Sequence, residues 1–555
     1  MDIRKWEWCL LGLLFAITYI SGLFVPLMEN DSAQHASMAM RMVLQDDFVH
    51  LYKGADPYLD KPHLHFWLAA LSMKLFGIYD WAYRIPSVLF LLMGAVCTAR
   101  LTRLLYDSKQ VSILAAFVFI SAQTIILSAH DVRTDAVLTG AVIFGLYHFI
   151  AWIKNGGWLH AVGAALGMAM SLASKGMVGV GIIGLCVICY LLYSREWRKL
   201  ISGGLLLMFF AFVLFILPLL YAYYVQFDMN PDQVVRGQTQ VSGVRFILWD
   251  QSFSRASGQD FGQTSPDYFF FFHSLLWLLI PFSIIFYQGV FMRTRFFIVE
   301  RFKKYSHKEF LTVGGFWLVI VIFSMSKFKL PHYMNSLIPV CAVLVASFIQ
   351  QMSTMKNMNW IRINMYVQYL LFVVGIALMT YLVSQAFGVS SWFFFLMVIL
   401  EFTLLIGVLL HKQYPLLKKL ILSSLIFAAA LNLFLNTQFY PPLTRYQAGL
   451  QISEQLSAAG ISPADLIMLK DHTNWTLDFY SRSNVERVEE EALFGAQGKY
   501  LFVEANRLED LKSKGLLVEE KLSASQYRIT MVKPRFLNKE TRNEVLQKYV
   551  LAKII

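Results

Sequence analysis

Long apolar runs separated by short polar turns fill the first four-fifths of the chain. About thirteen of them, near residues 8–27, 83–106, 111–129, 135–153, 158–173, 176–193, 200–226, 268–290, 310–325, 332–350, 363–386, 391–411 and 417–436, approach the ~20 residues a helix needs to cross ~30 Å of hydrocarbon. Two connections between them are long. The loop at 28–82 contains a helical stretch from Ala33 to Gln45 and a second from His65 to Phe76, which is apolar but short and is expected to lie in the membrane interface. The loop at 227–267 is rich in Gln, Ser, Gly and Arg and reads either as a lid over a substrate or as a plain connector. After Tyr440-Pro441-Pro442 the pattern changes: charged residues become frequent, and helix-like Arg445 to Ala459 is followed by strand-like Leu466–Leu469, Tyr500–Glu504 and Tyr527–Val532. The expected architecture is an all-α polytopic membrane domain over 1–440 with a small soluble α/β domain over 441–555.

Composition supports this division. Of 555 residues, 57% are hydrophobic and 15% charged, against roughly 25% charged in soluble domains. The net charge of +12 does not imply nucleic acid, because the basic residues concentrate in alternate loops, such as Arg195-Glu196-Trp197-Arg198-Lys199 and Arg301-Phe302-Lys303-Lys304. A positive-inside reading puts the amino terminus on the cytoplasmic side. An odd number of spans then puts the soluble tail on the outward side. Cys9, Cys97, Cys186, Cys189 and Cys341 all lie inside apolar runs and read as packing residues, including the Cys186/Cys189 pair.

Against that topology the acids and bases of four separate turns fall on one face. The first loop brings Asp31, His35, Asp60, Lys61, His63, His65 and Arg84; another turn brings His130, Asp131, Arg133 and Asp135; Lys175 stands between two spans; and Lys327-Phe328-Lys329-Leu330-Pro331-His332-Tyr333 follows a later one. Ionisable side chains at membrane helix ends are costly, and the positive-inside tendency disfavours bases on this face. The chemistry that fits is transfer from a lipid-linked phosphate. Lys and Arg meet the charge of the leaving group, and an Asp orients or deprotonates an acceptor hydroxyl. Other readings of single residues are a snorkelling Lys61, a capping Asp60 and a helix-start charge at Asp135. His63, His65 and His332 offer metal ligands, but no segment has metal-ligand spacing.

The ordered series Tyr58-Leu59-Asp60-Lys61-Pro62-His63-Leu64, Trp81-Ala82-Tyr83-Arg84-Ile85-Pro86-Ser87, Arg133-Thr134-Asp135, Ser174-Lys175-Gly176 and Lys327 to Tyr333 resembles the bacterial GT-C glycosyltransferases, within the superfamily of lipid A aminoarabinose transferases and protein O-mannosyltransferases. The resemblance covers about residues 8–350. It implies a membrane enzyme of about thirteen helices that takes a sugar from undecaprenyl phosphate, inverts the anomeric centre and works on the periplasmic face. By position, Asp31 matches the catalytic Asp of the first loop, and Asp60 and Lys61 match an acid-Lys-Pro motif that faces the donor. Asp131 or Asp135 matches a second carboxylate, and Lys175 a phosphate-contacting Lys. Ser32 and His63 stand where the family often has a second acid and a second Pro. The expected site is therefore Asp31, Asp60, Asp131 and Asp135 as carboxylates, with Lys61, Arg84, Arg133, Lys175 and Lys329 around the donor phosphate. No cofactor is required by this chemistry, a divalent metal being the alternative. The implied partners are a polyprenyl-phosphate sugar, membrane lipid and an acceptor that is lipid A, another envelope glycan or a protein Ser/Thr. A transporter or flippase for a lipid-linked glycan is the rival from another class; it predicts repeated halves and mid-bilayer charges, and the sequence has neither.

Overall fold

The computed structural model describes residues 3–251, 267–305, 308–354 and 358–555. Part of the long 227–267 loop, residues 252–266, lies outside the described residues. The protein is mostly helical. Among the described residues nine helices are long and apolar enough to cross a membrane, ten if one bent pair counts as a single span. They mark a multi-pass membrane protein. The first ten helices are α1 (Lys5–Leu23), α2 (Asp31–Gln45), α3 (Leu64–Phe76), α4 (Asp80–Tyr106), α5 (Lys109–Ser121), α6 (Gln123–His130), α7 (Thr134–Asn155), α8 (Trp158–Lys175), α9 (Met177–Ser194) and α10 (Gly203–Tyr223). Every apolar run in the sequence is helical, but three miss the length or hydropathy of a clean span. The Ala/Gly/Ser composition of α8 lowers its hydropathy; residues 268–290 fall on two helices, Phe270–Leu278 and Ser283–Val299; and Leu311–Met325 has 15 residues, about 22 Å of helix.

The composition of α8 serves packing. Helices α7 and α8 approach so closely that a Cβ on Gly167 would meet the backbone of Gly145, and one on Gly163 would lie 2.5 Å from His148 Nδ1. Small residues that let backbones touch are the usual means of joining helices in lipid, where apolar burial alone gives no preference for protein over chain. Helices α5 and α6 bend by 56° at Ala122, whose backbone is extended. Backbone groups released by such a break must find partners inside the protein. Gln123 N donates to the Ile280 carbonyl at 3.3 Å, and the Gln123 side chain exchanges two 3.0 Å amide hydrogen bonds with Asn432 of the helix Leu416–Phe434.

The first loop is an ordered layer across one end of the bundle. Its helical stretches are α2 and α3, joined through a hairpin of β1 (Tyr52–Lys53) and β2 (Asp56–Pro57). Helix α2 is buried along most of its length, between α3 and the helix Trp475–Ser481 of the carboxy-terminal region. That region holds a mixed five-stranded sheet of β3 (Leu466–Leu469), β4 (Glu486–Val488), β5 (Tyr500–Glu504), β6 (Val518–Gln526) and β7 (Gln547–Ile554), in the order β4-β3-β5-β7-β6. β3 runs parallel to β4 and β5, whereas β7 is antiparallel to β5 and β6. Alternation on β3 and β5 sends Met468 and Phe502 to one apolar face and Ile467, Leu469, Leu501 and Val503 to the other. The expected strand over Tyr527–Val532 is not one. Tyr527 N is taken by the Tyr446 carbonyl and Tyr527 Oη by the Met531 carbonyl, so the segment turns at Ile529–Met531 and packs Ile529 inward. β7 and β6 complete the sheet beyond β5 instead; β6 is an edge strand rich in Glu, Lys and Ser, which hides it from a search for apolar alternation.

A buried carboxylate joins the two regions. Glu29 accepts from the backbone amides of Trp475 at 3.0 Å and Thr476 at 2.9 Å, while Gln447 bonds the Leu27 carbonyl and the Glu29 amide. Tyr480 Oη accepts from Leu27 N at 2.7 Å and reaches Asp80 at 3.1 Å. Burial pushes the Glu29 carboxyl up to about 7, although the two amide bonds pull the other way.

Two outcomes follow. Gly167→Val overpacks the α7–α8 contact and should destabilise by about 1–3 kcal/mol, read as a lowered thermal midpoint in detergent. Between its ordinary value of 4.5 and about 7, Glu29 keeps in the folded protein a proton that the unfolded chain has lost, so stability should fall as pH rises through that window. Glu29→Gln, neutral at every pH, should flatten that part of the pH profile of the thermal midpoint; an unchanged slope would remove Glu29 as its source.

Candidate active site

Four chain segments bring charge to the bundle end covered by α2. Asp31 is the first residue of α2, and Arg133 is the residue that precedes α7. Arg133 bridges two carboxylates, Asp31 at 3.1 Å and Asp131 at 3.0 Å. One guanidinium fork thus fixes the start of the first loop onto the α6–α7 turn. Asp31 stays half exposed, with 52% of its side chain accessible.

Below this triad lies a drier pair. Asp135, in the first turn of α7, and Lys175, the last residue of α8, meet at 2.6 Å with 4% and 5% of each residue exposed. Each sits at the helix end whose dipole favours its charge. His332 approaches Asp135 at 3.9 Å, and the Lys175 ammonium lies 4.7 Å from the Tyr333 ring. Asp131, Arg133, Asp135, Trp277, His332 and Asn335 line a cavity of about 120 Å³, with the Thr124 hydroxyl bonded to Asn335 on its wall.

The Asp60-Lys61 motif stands at the turn before α3. Lys61 pairs with Asp60 at 2.9 Å, and Arg236 from the 227–267 loop comes to 4.0 Å of the same carboxylate. Gln251 of that loop donates to the Asp60 carbonyl. The charges of Lys61, Arg133 and Asp60 all act on His35 of α2, and those of Asp135, Lys175, Arg133 and Lys61 on His332. Burial, followed by the neighbouring His65, Lys61 and Arg133, holds His35 well below its ordinary value, so it is neutral at physiological pH.

The expected residues fall into three groups. Asp31 and Asp131 pair with Arg133, Asp135 pairs with Lys175, and Asp131, Arg133 and Asp135 line one cavity, with Asp60 and Lys61 within electrostatic reach. Lys329 sits over the ring of Tyr268 at 5.6 Å, on the segment that leads to His332. Arg84 differs from the expectation that it holds a donor phosphate. It is fully buried, and its guanidinium donates to the His130 carbonyl at 2.8 Å and the Leu23 carbonyl at 2.9 Å, which ties α1, α4 and α6 together beneath the site. The histidines do not act together: His63 bonds the Val49 carbonyl, His65 bonds Tyr83 Oη, and among the described residues no three His, Cys, Asp or Glu side chains are grouped to hold a metal. Thr124, Trp277 and Asn335 escaped the sequence reading because they lie in apolar runs and carry no charge. Arg236 and Gln251 belong to the loop read as lid or connector, and their contacts with Asp60 bring it to the site.

Relatives share both sequence and fold. A family model described as dolichyl-phosphate-mannose-protein mannosyltransferase matches residues 60–221, which include Asp60, Lys61, Asp135 and Lys175. An undecaprenyl phosphate-alpha-4-amino-4-deoxy-L-arabinose arabinosyl transferase of Proteus mirabilis is 23% identical over 377 residues, 66% of this chain and 64% of that protein. One from Pseudomonas paraeruginosa is 24% identical over 63% of this chain and 61% of its own length. The matched part thus spans under two thirds of these curated relatives. A crystal structure of ArnT from Cupriavidus metallidurans bound to undecaprenyl phosphate superposes with a TM-score of 0.74, covering 99% of this chain and 98% of that one at 16% identity.

Removing one member of the buried pair isolates the other. Lys175→Ala should destabilise by about 3–5 kcal/mol, whereas the double variant Asp135→Leu/Lys175→Met should recover much of that loss in thermal or denaturant unfolding. Equal losses would mean that the pair is not what holds these helix ends.

The chain is thus similar in sequence, over residues 60–221, to the dolichyl-phosphate-mannose-protein mannosyltransferase family and, over about two thirds of its length, to aminoarabinose transferases, and it shares the fold of one of them.

Proposed function

We propose that this protein is an inverting glycosyltransferase that moves a sugar from undecaprenyl phosphate to an envelope glycolipid such as lipid A. The observation that supports it most is the meeting of Asp31, Asp131, Arg133, Asp135 and Lys175, from three separate segments, in ion pairs beside one cavity at the end of a lipid-embedded bundle. In the proposed step an acceptor oxygen attacks the anomeric carbon from the face opposite the phosphate. The bond from that carbon to the phosphate oxygen breaks, and polyprenyl phosphate leaves with the electron pair. Asp31, exposed and held by Arg133, receives the proton when the acceptor is a hydroxyl. Lys61 and Lys175, with Arg133, meet the charge that grows on the leaving phosphate, and Asp60, Asp131 and Asp135 hold those cations in place. Because these cations neutralise the leaving group, the step needs no cofactor.

In the same reading all of the about thirteen apolar runs cross an inner membrane, with α8 and Leu311–Met325 as spans shielded by their neighbours. The amino terminus is then cytoplasmic. Residues 441–555 form a periplasmic domain beside the catalytic domain over 1–440, and Lys329 lines the donor's approach. Transfer to protein Ser/Thr is the second reading, favoured by the family description matched over 60–221.

A transfer assay with purified protein, radiolabelled undecaprenyl-phosphate sugar and either lipid A or a peptide acceptor tests both. Asp31→Asn and Lys61→Ala should each lower the rate by about 100-fold or more. Wild-type rates in both variants would rule the site out, and labelling of the peptide alone would select the second reading.

A further inference from the structure

A second cavity, of about 230 Å³ and sharing no residue with the first, lies between α2, the β1–β2 turn and the helix Trp475–Ser481. Its walls carry Arg41, Tyr52, Gly54, Trp475, Asp478 and Arg487. Arg41 stacks over Tyr52 at 4.4 Å, Arg487 over Trp475 at 4.6 Å, and the Lys53 ammonium lies 5.7 Å from the same indole. Both guanidinium groups crowd one glycine: Arg41 donates to the Gly54 carbonyl, and a Cβ on Gly54 would lie 3.2 Å from Arg487 Cδ and Nε.

On this wall only one acid, Asp478, is buried, and one buried donor has no partner. Arg487 pairs with Asp478 at 2.6 Å, the two side chains being 9% and 3% exposed, yet its Nε is buried with no hydrogen-bond partner. Arg41 bonds Gln45 at 2.8 Å and makes no ion pair among the described residues; nor does Lys53. Glu486, the other acid on the wall, is exposed. Three cations therefore gather around one buried carboxylate, with the charge of Asp47 also reaching Arg41, and a buried donor is left unfilled. An oxyanion would complete both, since guanidinium forks and aromatic-backed cations are suited to phosphoryl oxygens.

We infer that this cavity is an anion subsite holding a phosphoryl group of the acceptor glycolipid, remote from the group that receives the sugar. The inference rests on the proposed reading of the acceptor as an envelope glycolipid and adds that this glycolipid carries phosphate. Asp31 and Arg41 are ten residues apart on α2, roughly 15 Å, and share a broad face of that helix. A disaccharide with a phosphate at each end would reach from one to the other.

The test is equilibrium binding to the full chain in nanodiscs. The probes are radiolabelled acyl-free glucosamine disaccharide carrying two phosphates and the same sugar carrying one. Wild type should bind the bisphosphate about tenfold more tightly or better. Arg41→Gln and Lys53→Gln should each lose most of that preference, Arg41→Lys should keep part of it, and Asp31→Asn should keep it in full. No preference in wild type, an unaltered preference in Arg41→Gln, or displacement of the sugar by an equal concentration of inorganic phosphate would overturn the subsite. Because binding is read apart from transfer, a lost preference with transfer intact overturns only the subsite, and an intact preference without transfer overturns only the enzyme reading.

Discussion

Asp135 and Lys175 remain charged out of water because each neutralises the other at 2.6 Å, and the geometry of the site follows from that requirement. The pair holds the start of α7 against the end of α8, and the glycine-lined contact between those helices brings the two ends to that distance. From there the charges spread towards solvent. Arg133 lies two residues before Asp135 and reaches out to Asp131 and Asp31. A gradient results, from a dry, permanently paired base to a half-exposed carboxylate. The closely paired charge sits deep and the half-exposed carboxylate sits shallow, so the cluster is dry below and open to solvent above.

Helix α2 relates this cluster to the rest of the protein. Its first residue belongs to the Arg133 bridge, its middle is buried against α3, and its far face meets the helix Trp475–Ser481. The carboxy-terminal sheet is therefore coupled to the site through one short rigid element and through the Glu29 carboxylate that grips the backbone of that helix. Arg84 contributes from beneath by holding the carbonyls at the ends of α1 and α6. Its charge is used for shape, and its position away from solvent explains why a substrate role does not fit it.

Much of this was legible in the sequence. Apolar runs mark membrane helices because hydrocarbon leaves the backbone no alternative, and charges at their ends stand out against that background. Asp31, Asp131, Arg133, Asp135 and Lys175 were readable as one group for that reason. Arg84 was not separable from them, since a buried Arg that binds carbonyls and an exposed one that binds phosphate look alike in one dimension. The bend between α5 and α6 left no Pro as a marker; it is stabilised by the Gln123–Asn432 amide pair, whose members are 309 residues apart. In the carboxy-terminal region β6 was hidden by its polar edge, while Tyr527–Val532 looked like a strand because its apolar residues pack a turn.

The docking of the first loop has a consequence for how the molecule is made. Leu27 and Tyr480, whose hydrogen bond helps seat that loop, are 453 residues apart. A ribosome delivers the amino-terminal segment long before the surface that receives it exists, so Glu29 waits unsatisfied while all the bundle helices are inserted. Maturation of the pocket is thereby timed to the end of translation, and a truncated polypeptide would have membrane helices but no assembled α2 layer.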